Sequence, residues 1–153
     1  MVSEKIKKII IYTALILLVL ALDRASKTII LNILENSGTV DIYINSFLSL
    51  YLVWNKGIGF GLFSFDQNYI YSGITLFILL INLIIVYLIY KEKTPKSYFF
   101  AIILGGSCGN LFDRYYYSAV PDFIDLNYNG YHWFIFNVAD IFITLGIICL
   151  ILA

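Results

Sequence analysis

Two aspartates in this chain sit in apolar company that would reject an unanswered charge. Asp122 lies in "AVPDFIDL" and Asp140 in "FNVADIFITLGIICLILA", the closing stretch from Phe136 to Ala153. Asn137 and Asp140 stand at i and i+3, so a helix would put them on one face. A helix over 132–153 would hold Asp140 roughly two turns inside it. An ionised Asp at the centre of a membrane helix costs about 2.5–3.5 kcal/mol on insertion scales. Nothing else in that segment offsets the cost, so the partner must come from another element. Asp122, Asp125, Arg114 and Lys27 are the candidates. A second carboxylate is the informative one. Two close carboxylates cannot both ionise easily, so they share a proton. One can then act as base toward water and the other as acid toward a carbonyl oxygen. An ion pair with Arg114 is the structural alternative, and the residues alone leave both open.

The elements that must position these acids are set by composition. Of 153 residues, 61% are hydrophobic and only 13% charged, with a mean hydropathy of +0.87. A soluble domain carries about 25% charged residues, so lipid is the expected solvent. The fold class expected is a mainly α membrane protein with four transmembrane helices, at about 9–26, 69–90, 98–117 and 132–153. Each reaches roughly 20 residues, enough to cross a ~30 Å hydrocarbon layer. One domain over 1–153 is the simplest organisation. The first apolar run has the flanks of a signal peptide, but "LALDRASK" puts charges where a small-residue cleavage site belongs.

Lysines orient the spans. Lys5, Lys7 and Lys8 precede the first, and Lys91, Lys93 and Lys96 lie between the second and third. Both groups belong on the cytoplasmic side. Both termini are then cytoplasmic, and residues of about 23–68 and 115–131 face outward. The outer segment between the first two helices, about 38–65, is rich in β-branched and aromatic residues and reads as one or two hairpins at the membrane surface. Its Tyr and Trp residues suit headgroups.

The remaining polar groups have structural readings beside functional ones. Asp23 and Lys27 in "LDRASK" stand at i and i+4 and can pair, as an ion pair closing a span. "NKGIGFG" sets Asn55 before Gly57, Gly59 and Gly61, a turn or a close backbone approach. In "GGSCGNLFDR", Gly105 and Gly109 allow another helix close in. Asn110 and Arg114 share a face, and Asp113 beside Arg114 reads as a capping ion pair. Equal numbers of acidic and basic residues, ten of each, with no basic block, argue against nucleic acid. Cys108 and Cys149 read as buried free thiols, and with His132 the lone histidine no protein-built metal site is expected.

Taken in order, "DRASK", "NKGIGFG", "GGSCGNLFDR", "VPDFIDL" and "FNVAD" resemble the lipoprotein signal peptidases, the signal peptidase II family of membrane aspartyl proteases. The resemblance runs over nearly the whole chain. It implies four spans with both termini cytoplasmic, in the bacterial inner membrane. It implies Asp122 and Asp140 as the catalytic dyad near the outer face. Asp23, Lys27, Asn55, Gly57, Asn110, Arg114 and Asn137 would support the dyad or the substrate backbone. The implied substrate is a prolipoprotein carrying diacylglycerol on its lipobox cysteine, with membrane lipid as the other partner and no cofactor. Arg24 departs from the family's frequent Gln. Ile58 and Gly59 stand for a usual pair of alanines, and Pro121 for a β-branched residue. None of these departures falls on the dyad.

Two other classes use the same residues. A small proton-coupled transporter or channel would use Asp122 and Asp140 as an ion path. An assembly factor would use the polar groups only for helix contacts.

Overall fold

The computed structural model describes residues 3–57, 68–92, 95–128 and 131–153. Among the described residues, four helices and the strands of one small sheet follow along the chain. The helices are α1 (Glu4–Ser37), α2 (Asn68–Lys91), α3 (Lys96–Tyr117) and α4 (Val138–Leu152). The strands are β1 (Asp41–Asn45), β2 (Leu48–Asn55), β3 (Val120–Tyr128) and β4 (Tyr131–Phe136). They form one antiparallel sheet in the order β1-β2-β3-β4.

The helices are inside out by the standards of a protein in water. Leu17, Leu18, Phe77, Leu80, Leu83, Ile84 and Ile151 are exposed, whereas Asp23, Lys27, Asn82, Asp113, Arg114 and Asp140 are buried. Such a surface suits hydrocarbon, and such an interior suits charges that answer one another. Among the described residues, α2 is the helix long and apolar enough to cross a membrane on its own, with a mean hydropathy of 2.6 over Tyr69–Lys91.

α3 is the hub, and α1, α2 and α4 all pack on it. Its glycines make this possible. A Cβ on Gly106 would lie 2.6 Å from the Ala139 carbonyl oxygen of α4, and one on Gly109 would collide with the Asp23 carboxylate of α1. Gly105 faces Val19 of α1, so the Gly105/Gly109 face expected from the sequence does receive a helix. One apolar cluster, built on Ile85, Ile103 and Leu104, ties α2 and α3 together. Another, built on Ile30, Val40 and Phe123, seats the sheet on the end of α1.

Three boundaries differ from the sequence expectation. α1 runs past residue 26 to Ser37, where Gly38 caps it in the left-handed conformation at φ 75°. Ile30, Ile33 and Leu34 of that extension pack under the sheet, which shields turns that would otherwise lose their apolar partners. α4 begins at Val138 rather than at residue 132. Asn137 caps it, and Tyr131–Phe136 pair instead with β3. Asp140 therefore stands in the first turn of α4, not two turns inside it. The sheet, finally, is not confined to the segment between the first two helices, because half its strands come from between α3 and α4. The Gly59 and Gly61 part of the expected glycine turn lies outside the described residues. Cys108 and Cys149 are free and half-buried rather than buried.

Candidate active site

Strand pairing delivers the first acid. β2 and β3 pair so that Val53 stands opposite Asp122 and Asn55 opposite Val120. The Asn55 amide thereby reaches Asp122, donating to Oδ2 at 2.8 Å. The N-cap of α4 delivers the second. Asn137 Oδ1 accepts from the Asp140 N–H at 3.2 Å, and Asp140 Oδ2 accepts from the Asn137 N–H at 3.1 Å. This reciprocal capping box fixes the Asp140 rotamer. The same Asn137 donates from Nδ2 to Asp122 Oδ1 at 2.5 Å. One residue thus bridges both carboxylates. Asp122 and Asp140 share the wall of a cavity of about 200 Å³ with Ser107, Asn110, Arg114 and Thr144.

A third asparagine completes the frame. Asn110 donates to Asp140 Oδ1 at 2.8 Å and accepts from Lys27 Nζ at 2.9 Å. Its amide therefore has one sensible orientation, set by an ammonium behind it. Lys27, only 1% exposed, also contacts Asp23 Oδ1 at 2.8 Å and Asp113 Oδ2 at 2.6 Å. Arg24 closes the network, with Nη2 at 2.8 Å from Asp23 and Nη1 at 2.6 Å from Asp113. Two acids meet two bases, so the cluster is neutral in spite of its burial. Asp23 has a further task, as its Oδ1 accepts from the Ala139 N–H at 3.2 Å and so holds the first turn of α4 against α1.

Asp122 is 2% exposed. Burial, seconded by the charge of Asp140, pushes its carboxyl up to about 7, against the pull of hydrogen bonds from Asn55 and Asn137 and the charge of Lys27. One proton is thus retained on this acid pair well above ordinary carboxylate pH. A protonated acid beside a second carboxylate can activate water and protonate a carbonyl oxygen in the same cavity.

Arg114 lines the same cavity. It donates to the Gly57 carbonyl, its Cζ lies 5.4 Å from the Tyr71 ring centre, and Tyr71 donates to its carbonyl oxygen at 3.2 Å. Gly57 in turn donates its N–H to Asn55 Oδ1 at 2.7 Å. The Arg114 Nε and Nη1 groups are buried and have no partner among the described residues.

The structure therefore brings Asp122, Asp140, Asn55, Gly57, Asn110, Arg114 and Asn137 to one place, with Asp23 and Lys27 directly behind. It corrects several pairings. Asp140 is answered by Asn110 and Asn137, and Lys27 acts on it through Asn110. Asp113 turns away from Arg114 to Lys27 and Arg24. Asp23 and Lys27 lie within a continuous helix, not at its end. Asp125 lies apart from the acid pair, accepting from the ring of His132 at 2.7 Å. Asp113 and Arg24 are the members of the frame that sequence reasoning did not assign to it. Their spacing gave a signal: Asp113 stands at i+3 from Asn110, on the same side of α3.

A buried carboxylate pair, framed by amides in a helical membrane scaffold, has the makings of an aspartic peptidase. Residues 15–153 match the family described as signal peptidase (SPase) II. A lipoprotein signal peptidase of Pelagibacter ubique (strain HTCC1062) is 52% identical over 147 residues, covering 96% of this chain and 89% of the relative. One from Anaplasma phagocytophilum (strain HZ) is 42% identical over 146 residues, covering 93% and 90%. A solved bacterial membrane enzyme superposes with a TM-score of 0.75 at 24% identity, over 92% of this chain and 85% of that one, and shares the fold. The chain belongs to the signal peptidase II family of membrane aspartic peptidases. These comparisons lend no support to a transporter or channel.

Proposed function

We propose that this chain, as one integral-membrane domain over 1–153, removes the signal peptide from diacylglyceryl-modified prolipoproteins just before the lipidated cysteine, with Asp122 and Asp140 as the catalytic acids. The observation that carries this is the bridging of the two carboxylates by Asn137 within one cavity. Asp122, which burial keeps protonated toward neutral pH, gives its proton to the scissile carbonyl oxygen. Asp140, held by Asn110 and the Asn137 N–H at the positive end of α4, takes a proton from water. The water oxygen bonds to the carbonyl carbon and forms a tetrahedral diol. The C–N bond then breaks, a proton returns to the leaving nitrogen, and the lipidated cysteine becomes the new N-terminus.

The Arg114 donors that have no partner among the described residues suit a substrate backbone carbonyl in the cavity. Gly57 and Asn55 hold that guanidinium in place. All four helices cross the inner membrane in this reading, with the lysines of 5–8 and 91–96 in the cytoplasm. The sheet then lies at the outer face, where a signal helix ends, and its exposed Tyr43, Phe47, Tyr128 and Trp133 meet headgroups.

The test is cleavage of a diacylglyceryl-modified lipobox peptide by purified protein in detergent, beside Asp122→Asn, Asp140→Asn and an unlipidated peptide. Cleavage by wild type alone, of the lipidated peptide alone, is expected. Turnover by either folded variant would remove that aspartate from the mechanism.

A further inference from the structure

α1 and α2 both pack on α3 but scarcely touch each other. At the end that carries Lys5 and Lys91 they leave a groove of about 740 Å³. It shares no residue with the cavity of the acid pair. Ile9 and Ile16 of α1 and Val86 and Ile89 of α2 form its walls, and Leu104 of α3 its floor. From Ile9 to Ile16 the wall runs about 10 Å along the helix, a stretch that several methylenes of an acyl chain can follow.

The mouth is basic. Lys5, Lys8 and Lys91 line it, with Glu4 and Glu92 as the acids. Glu4 is already engaged by Lys7 at 2.8 Å. Lys5 spans the groove, its Nζ 3.5 Å from the Tyr90 hydroxyl and 5.2 Å from the ring centre. Lys91 lies 5.7 Å over the Tyr87 ring. The Lys5 and Lys91 side chains thus lie against aromatic rings, and Lys8 lines the same rim. An apolar slot edged by three lysines fits one kind of membrane component, a lipid whose headgroup carries net negative charge. A zwitterionic headgroup would bring its own ammonium against the lysines.

We propose that this groove is a binding site for one anionic phospholipid, its phosphate between Lys5, Lys8 and Lys91 and one acyl chain between α1 and α2. The lipid wedges the two helices against α3 at the end remote from the acid pair. The test titrates the detergent-purified full chain with dioleoyl phosphatidylglycerol or dioleoyl phosphatidylcholine, read by native mass spectrometry and by the thermal midpoint. One phosphatidylglycerol is retained, with about tenfold preference over phosphatidylcholine, and only that lipid raises the midpoint. Lys5→Gln/Lys8→Gln/Lys91→Gln abolishes the preference. Val86→Trp fills the slot and abolishes retention with every lysine still in place, so the test does not hang on the triple variant folding. Peptide cleavage in detergent stays at the wild-type rate in Val86→Trp. Equal retention of both lipids, a preference that survives the triple variant, or the same stabilisation from free glycerol phosphate would each overturn the proposal.

Discussion

Removing the Asn55 amide should move the proton on Asp122 in a calculable direction. Asn55 donates to Asp122 Oδ2 at 2.8 Å, and this bond favours the ionised carboxylate. With burial and Asp140 pushing the other way, the group settles at about 7. A hydrogen bond to a charged group contributes about 1.5–3 kcal/mol, and each pKa unit corresponds to about 1.4 kcal/mol. Asn55→Ala should therefore raise the Asp122 value by roughly one to two units. In the proposed mechanism Asp122 must be protonated, so activity is lost as pH rises through this value. The wild-type profile of kcat/KM against pH should lose half its height near 7 on the alkaline side, and the variant nearer 8–9. The assay is initial cleavage rate of a fluorogenic lipidated peptide at low substrate, in detergent, from pH 5 to 10. A lower plateau with an unmoved limb would mean that Asn55 acts only through Gly57 and Arg114. A limb displaced to lower pH would refute the reasoning about Asp122.

Other outcomes follow from the same geometry. Lys27→Met leaves the Asp23 and Asp113 carboxylates with Arg24 alone as counter-charge in a buried site, and breaking a buried ion pair costs about 3–5 kcal/mol. The thermal midpoint in detergent should fall sharply, and Asp113→Asn added to Lys27→Met should recover part of it. Gly109→Ala would push a methyl into the Asp23 carboxylate; the expected result is a separation of α1 from α3, read as loss of a cross-link between cysteines placed on those helices. The fold holds the Asp122 proton more tightly than an unfolded chain with its value near 3.8. Its contribution to stability is thus present below about 4 and lost as pH rises to about 7. Relative to Asp122→Asn, the wild-type thermal midpoint should decline across that window, and a parallel pair of curves would contradict the retained proton.

Much of this was legible in the chain itself. The apolar runs announced helices because lipid-facing residues must be apolar wherever they fall. The acids stood out because a carboxylate in such a run demands a partner. What could not be read was the choice among partners. Asp113 is adjacent in sequence to Arg114, yet the turn of α3 points it to Lys27 on another helix. Asn137 looked like one more residue on a helical face, whereas its value lies in starting α4, where its Oδ1 caps the first turn and its Nδ2 is left for Asp122. β3 and β4 escaped notice because "HWFIF" is as apolar as the helix it precedes. Periodicity over so short a run does not separate a strand from a helix turn. The pairing of β2 with β3 joins segments on either side of α2 and α3, which local patterns do not encode.

The hydrogen bond from the Ala139 N–H to Asp23 ties the first helix to the last. Its consequence is one of timing. Asp23, Arg24 and Lys27 leave the ribosome long before α3 and α4, and until α3 arrives they have only one another as partners. Asp140 lies in α4 and is made after α1, α2 and α3. A product of synthesis that stops before α4 holds Asp122 without Asp140. In the proposed mechanism a nascent chain that lacks α4 is therefore unable to cut. On that reading hydrolytic competence arrives only when α4 docks on α1.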